Sequence, residues 1–164
     1  HIRALLQILP EVERYRRTTA ALQYLAMDKS IPPDEINSIA TATMNILSHP
    51  SLTGLFDPGS RAAVPLTGVV NGVMVGGVVD RMLVTEATIL IADFKATQCL
   101  PESISAAPIV YLRQMTAYRG VLRTVFSPRP IICALIWTIA PRITILSDAL
   151  LDLHEPNSVE RSKL

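Results

Sequence analysis

The stretch GGVVDRMLVTEATILIADFKA, Gly76–Ala96, holds two apolar runs that each carry charge: Asp80 and Arg81 in the first, Asp93 and Lys95 at the end of the second. Both runs are rich in Val, Ile and Leu, and the polar break at Thr85–Glu86 between them predicts two strands joined by a tight turn. Centring that turn on Glu86 and Ala87 sets a register in which Asp80 stands opposite Asp93. Facing residues in an antiparallel pair hold their Cβ atoms about 4.5 to 5.5 Å apart, so the two carboxylates meet. The strand period of two puts Lys95 on the same face as Asp93 and turns Phe94 the other way. Carboxylates this close repel unless a cation lies between them or one keeps its proton. Mg²⁺ takes one or two carboxylates plus water and phosphate oxygens, which makes the cluster a candidate metal site. The same spacing fits a surface hairpin whose Lys95 pairs with an acid at a strand end.

Outward from this hairpin, the first third of the chain reads as three helices: residues 1–8 before Pro10, 11–27, and 32–47 behind a proline start signal. A turn-rich connector, 49–60, leads to a first strand at 62–70, which the Asn71-Gly72 pair joins to the hairpin. A long helix over 102–126 follows, with Pro108 in its first turn or just before its true start. Residues 129–140 and 142–146 read as two more strands, and 147–154 as a closing helical turn. The expectation is one α/β domain with a small mixed sheet between the long helix and the N-terminal helices. It divides into N-terminal helices and connector (1–60), core (61–154) and a loose tail (155–164).

A composition of 49% hydrophobic and 18% charged residues over 164 supports a real core and excludes a disordered chain. The net charge of +1 provides no global field for a polyanion, so nucleic-acid binding would need locally gathered basic residues. Cys99 and Cys133 show no CxxC spacing, which argues against a zinc site or disulfide framework and fits two ordinary apolar residues in a reducing compartment. The apolar stretches around Val69–Val79 and Ile131–Ala140 are interrupted or short against the roughly 20 residues that span a bilayer, so no membrane segment is expected. The start in helical sequence without an initiator Met suggests a piece of a longer protein. Trp137 reads as core, and the Arg14–Arg17 run as the polar face of a helix.

The order GGVVDR, then ILIADFK thirteen residues on, then YLRQMTAYR resembles the RecB-like branch of the PD-(D/E)XK nucleases. That family is written as a G-x-x-D-R strand, a D-[FY]-K strand and a Q-x-x-x-Y helix, the last met by Gln114 and Tyr118 on one helical face. HIRALLQILP is similar to the family's first motif, an apolar residue and His followed by a Leu-Leu pair. Over nearly its whole length the chain looks like the C-terminal nuclease domain of an AddA-type helicase-nuclease subunit.

The resemblance implies a PD-(D/E)XK core of order α-β-β-β-α-β with extra N-terminal helices, and Mg²⁺-dependent hydrolysis of DNA in double-strand break repair and recombination. It implies a metal, with Mn²⁺ as a substitute, held by His1, Asp80, Asp93 and the backbone carbonyl of Phe94. Lys95 would position or activate the attacking water, while Gln114 and Tyr118 orient Lys95 or hold the DNA backbone. Arg81, Arg113 and Arg119 stand beside these positions, either to meet phosphates or simply to be solvated. Implied partners are DNA ends, a helicase region upstream on the same chain and an AddB-type subunit, in the bacterial cytoplasm. Two cysteines leave no iron-sulfur cluster of the four-cysteine kind. Two departures stand out: Ala96 where the family has Thr after D-[FY]-K, and Ala63 where a Glu is common. They keep open a rival reading, a degenerate module that binds DNA or docks a partner without cutting.

Overall fold

The computed structural model describes residues 1–52, 54–97, 101, 103, 106–139 and 142–156. They build a five-stranded sheet in sequence order: β1 (Ser60–Val70), β2 (Val73–Val84), β3 (Ile89–Lys95), β4 (Ile131–Trp137) and β5 (Arg142–Leu146). Neighbours are antiparallel except β3 and β4, which run parallel. A parallel pair needs a long crossover, and the helix α4 (Ile109–Phe126) supplies it.

Local chemistry explains the strands. Asn71 and Gly72 both take positive φ, 49° and 76°, the two-residue hairpin geometry that Asn-Gly favours. The β2–β3 register pairs Arg81 with Ala92 and Val84 with Ile89, the register that a turn centred on Glu86 and Ala87 predicts. Every residue of β3 is buried, as expected for a central strand covered on both faces.

Its two faces feed different layers. Ile89 and Ile91 join Met115, Tyr118 and Leu122 of α4 in one apolar cluster. Leu90, Ala92 and Phe94 join Leu6, Ile46 and Phe56 on the opposite side. Leu6 belongs to α1 (Ile2–Ile8) and Ile46 to α3 (Pro33–Leu47); with α2 (Arg17–Met27) these helices also enclose a core of their own around Leu5, Leu9, Ala21 and Leu25. α4 lies close on β1 because Gly120 has no side chain: a Cβ there would stand 2.7 Å from Val70.

Two helices start later than periodicity predicts. The segment from Glu11 forms separate single turns and α2 begins only at Arg17, because the buried Arg17 guanidinium donates to the carbonyls of Pro10, Val12 and Phe56 and holds the chain in a bend. Pro108 stands just before the true start of α4, the second of the two places expected for it, so the helix that the pattern carries back to Glu102 starts at Ile109. A short α5 (Asp148–Asp152) is capped by the Ser147 hydroxyl, which accepts from Leu150 N at 3.3 Å. Glu155, expected in a loose tail, lies 3.8 Å from both Arg119 and Arg123; residues 157–164 and Cys99 lie outside the described residues. Among the described residues no helix is long and apolar enough to cross a membrane.

Candidate metal centre

The site forms where the sheet loses its regularity. The β1–β2 register runs from Ala62↔Arg81 to Val64↔Val79 and skips the Ala63–Asp80 pair between them. Ala63 sits at φ 50°, a left-handed conformation that costs an alanine free energy and marks a local kink. On the other side, the β2–β3 pairs stop at Arg81↔Ala92, and the Asp80 carboxylate takes over: its Oδ2 accepts from Phe94 N at 2.7 Å. The kink also shifts the alternation of β2. Val79 lies in the α4-side cluster and Met82 packs on it, while Leu83 packs on the opposite cluster. The implied Glu of the resemblance would thus stand at Ala63, the position facing Asp80.

Asp80, Asp93 and Lys95 are all buried, with 4%, 4% and 8% of their surface exposed. Burial, followed by hydrogen bonding and charge from the adjacent Asp93, pushes the Asp80 carboxyl up to about 6, against the lowering pull of Phe94 N–H and of Arg3. The Asp80 carboxylate thus lies at the Asp93–Phe94 step of β3, although the ladder itself ends one pair short of Asp80 and Asp93. Lys95 Nζ pairs with Asp93 Oδ2 and donates to Gln114 Oε1 at 2.6 Å. Gln114 Nε2 in turn donates to the Tyr118 hydroxyl at 3.0 Å, and that hydroxyl to the Val78 carbonyl at 3.4 Å. This chain fixes Lys95 from α4, on the helical face that the i, i+4 spacing predicts. Tyr118 can close on β2 only because Gly77 lacks a Cβ, which would fall 2.3 Å from its hydroxyl. The Tyr111 ring, which the motif does not include, lies 4.2 Å from Lys95 Nζ and packs on Trp137 at 6.0 Å; a tyrosine one turn before Gln114 was the available signal.

The expected ligand from α1 is not the one that arrives. His1 points to Asp28, Nδ1 to Oδ2 at 3.7 Å. Arg3 instead reaches the acids: its Nη2 donates to Asp80 Oδ1 at 2.5 Å and its Nη1 to the Phe94 carbonyl at 3.3 Å. The correction follows from helix geometry, since residues two apart on a helix do not share a face. Arg81 and Arg119 are also not where a phosphate could meet them. Arg81 is fully buried, with Nε donating to Leu55 O and Ser60 Oγ, and Glu11 3.7 Å from its Nη2. Arg119 is buried beneath α5, bonded to Asp148 at 2.6 Å and Asp152 at 2.5 Å. Arg113 is exposed on α4.

Two carboxylates and a carbonyl are hard oxygen donors of the kind Mg²⁺ and Mn²⁺ prefer. Among the described residues no group of three or more His, Cys, Asp or Glu could hold an ion, so a cation at this site would complete its shell with water, as Mg²⁺ commonly does. An ion in the place the Arg3 guanidinium takes would meet Asp80 Oδ1 and the Phe94 carbonyl, and the Arg3 side chain, 54% exposed, has solvent to swing into.

No family model and no curated protein matches the chain. Among solved structures, the crystal structure of SSO0001 is similar over 92% of this chain and 69% of that one, at 17% identity and a TM-score of 0.35. That likeness is too distant to carry an argument.

Proposed function

We propose that the chain is a metal-dependent deoxyribonuclease, a PD-(D/E)XK nuclease module of an AddA-type helicase-nuclease that processes DNA ends in double-strand break repair and recombination. The observation that carries this reading is the convergence of Asp80, Asp93 and Lys95 at a kinked strand junction, with Lys95 held from behind by Gln114 and Tyr118. Buried like charges that a sheet brings together at the cost of regular pairing are characteristic of a site kept for chemistry.

In this reading Asp80, Asp93 and the Phe94 carbonyl hold Mg²⁺, or Mn²⁺ in its place. When bound, the ion supplies Lewis-acid stabilisation of the charge that develops on the scissile phosphate. Lys95 Nζ, aimed by Gln114 Oε1 and the Tyr111 ring, positions the attacking water and offers a donor to a phosphate oxygen. Tyr118 and Gln114 hold that geometry and do not touch the reacting atoms. Attack in line forms the new P–O bond as the bond to the 3′ oxygen breaks. DNA ends, an upstream helicase region and an AddB-type subunit are the proposed partners, and the bacterial cytoplasm the proposed compartment.

A specific observation favours a second reading. Each buried acid already has its own cation, Arg3 for Asp80 and Lys95 for Asp93, which is the charge balance of a nuclease-like module that binds DNA or docks a partner without cutting. Cleavage of linear double-stranded and single-stranded DNA with Mg²⁺ or Mn²⁺ separates the two. The nuclease reading expects cleavage that EDTA stops and that Asp93→Ala lowers by about a thousandfold or more. Equal cleavage by Asp93→Ala would remove the site assignment, and none by the wild type would leave the binding module.

A further inference from the structure

The α1 residue that enters the carboxylate site is a guanidinium, and it grips two of the three oxygens that would ligate a metal: Asp80 Oδ1 at 2.5 Å and the Phe94 carbonyl at 3.3 Å. One planar cation thus bridges the side chain of β2 and the main chain of β3 where their ladder has ended. The two partners differ sharply in freedom. The Asp80 side chain is 5% exposed and fixed by the Phe94 N–H, whereas that of Arg3 is 54% exposed and reaches in from a surface helix. Of this pair, only Arg3 can leave without unfolding the sheet.

We propose that Arg3 is a resident cation of the metal site, a tethered guanidinium that a divalent ion must displace from Asp80 and the Phe94 carbonyl before the centre is loaded. The proposal rests on the metal-site reading and deepens it by giving the site a built-in competitor. Without metal, Arg3 neutralises Asp80 and keeps the carboxylate pair compatible with the fold. With metal, the guanidinium is released beside the site, where its natural partner is an anionic oxygen of the phosphodiester backbone. The phosphate offers Arg3 a replacement for the bond it gives up, so metal and DNA help each other to bind.

The test is isothermal calorimetry with Mn²⁺ on wild type and Arg3→Gln at neutral pH. Arg3→Gln should bind Mn²⁺ roughly tenfold to a hundredfold more tightly, the range expected for removing a charge-assisted hydrogen bond that competes for the site. Arg16→Gln, which removes an equal charge from an exposed turn outside the site, should not change the affinity. Arg3→Lys, which keeps the charge but loses the bridging fork, should fall between wild type and Arg3→Gln. Its shift is readable even if Arg3→Gln folds poorly. A short duplex added to wild type should tighten Mn²⁺ binding and should lose that effect in Arg3→Gln.

Unchanged or weaker Mn²⁺ binding in both Arg3 variants overturns the proposal, as does an equal gain in Arg16→Gln. Metal affinity is read here without reference to cleavage. Tighter metal binding in Arg3→Gln with no cleavage by any form keeps the displacement and removes the nuclease, whereas cleavage with unaltered Mn²⁺ affinity does the reverse.

Discussion

Two clusters of buried charge are each bonded to α4, and they are built in opposite ways. Beneath α5, a single cation is buried: the Arg119 side chain is 1% exposed, and the carboxylates that hold it, Asp148 and Asp152, are 68% and 55% exposed. At the sheet kink the buried groups are two acids, Asp80 and Asp93, and one of their two cations, Arg3, comes from the surface. The first arrangement has an obvious structural use, because one buried guanidinium pins a short terminal helix with solvated partners. The second brings like charges together at the expense of a ladder pair on each side of Asp80 and gives the fold nothing that an apolar pair would not. Similar ion pairs thus make a clasp in one place and a candidate reaction centre in the other, and the sign of what is buried distinguishes them.

Mutation should split the two most strongly. Asp93→Asn should lower cleavage by about a thousandfold or more in a protein that still folds, since it removes a ligand while the Lys95 ammonium it leaves behind keeps its bond to Gln114. Arg119→Met should do the opposite, costing about 1 to 3 kcal/mol in urea melts as α5 loses its clasp while each folded molecule keeps its activity. If Arg119→Met lowers activity per folded molecule as Asp93→Asn does, the contrast fails.

The next effect is on pH, with metal removed by EDTA. Because the folded state raises the Asp80 carboxyl from its ordinary 3.8 to about 6, it binds that proton more tightly than the unfolded chain does. The resulting stability is whole below pH 4 and is lost as pH rises through 6. Measured as the difference between wild type and Asp80→Asn, it should amount to roughly 2 kcal/mol. A flat difference would mean that Arg3 alone sets the charge state of Asp80.

Smaller effects test how Lys95 is held. Gly77→Ala should cost about 1 to 3 kcal/mol and reduce activity as Tyr118 is pushed off β2, while Gly76→Ala, whose Cβ meets nothing within 4 Å, should be close to neutral. Tyr118→Phe, which removes the acceptor for Gln114 Nε2 and the long bond to the Val78 carbonyl, should lower turnover about fivefold, equivalent to about 1 kcal/mol.

The hairpin was legible because two apolar runs broken at Thr85–Glu86 leave one turn, and that turn sets the register seen from Arg81–Ala92 to Val84–Ile89. Asn71-Gly72 and Gly77 were equally informative, each needed where a side chain or a negative φ would not fit. Arg3 was not legible. Its role depends on how α1 docks against β2 and β3, and a motif that begins with His directs attention to His1, which faces Asp28 instead. Arg81 and Arg119 were misplaced because an arginine is normally exposed, a preference overridden where backbone carbonyls or acids wait inside. One signal for Arg119 stood in the sequence: Arg119 and Arg123 are spaced i, i+4 on one helix, Asp148 and Asp152 i, i+4 on another, and the four meet as ion pairs. The kink at Ala63 left no trace, since alanine has no preference for a positive φ.

The central claim is that the carboxylate pair at the end of β3 is a divalent-cation site. Calorimetric titration of the wild-type chain with Mn²⁺ at neutral pH, beside Asp93→Ala, tests it most directly. The account predicts saturable binding by the wild type and its loss in a variant that still folds. No binding by the wild type, or equal binding by both, would contradict it and leave Asp80, Asp93, Arg3 and Lys95 as a closed network of buried ion pairs.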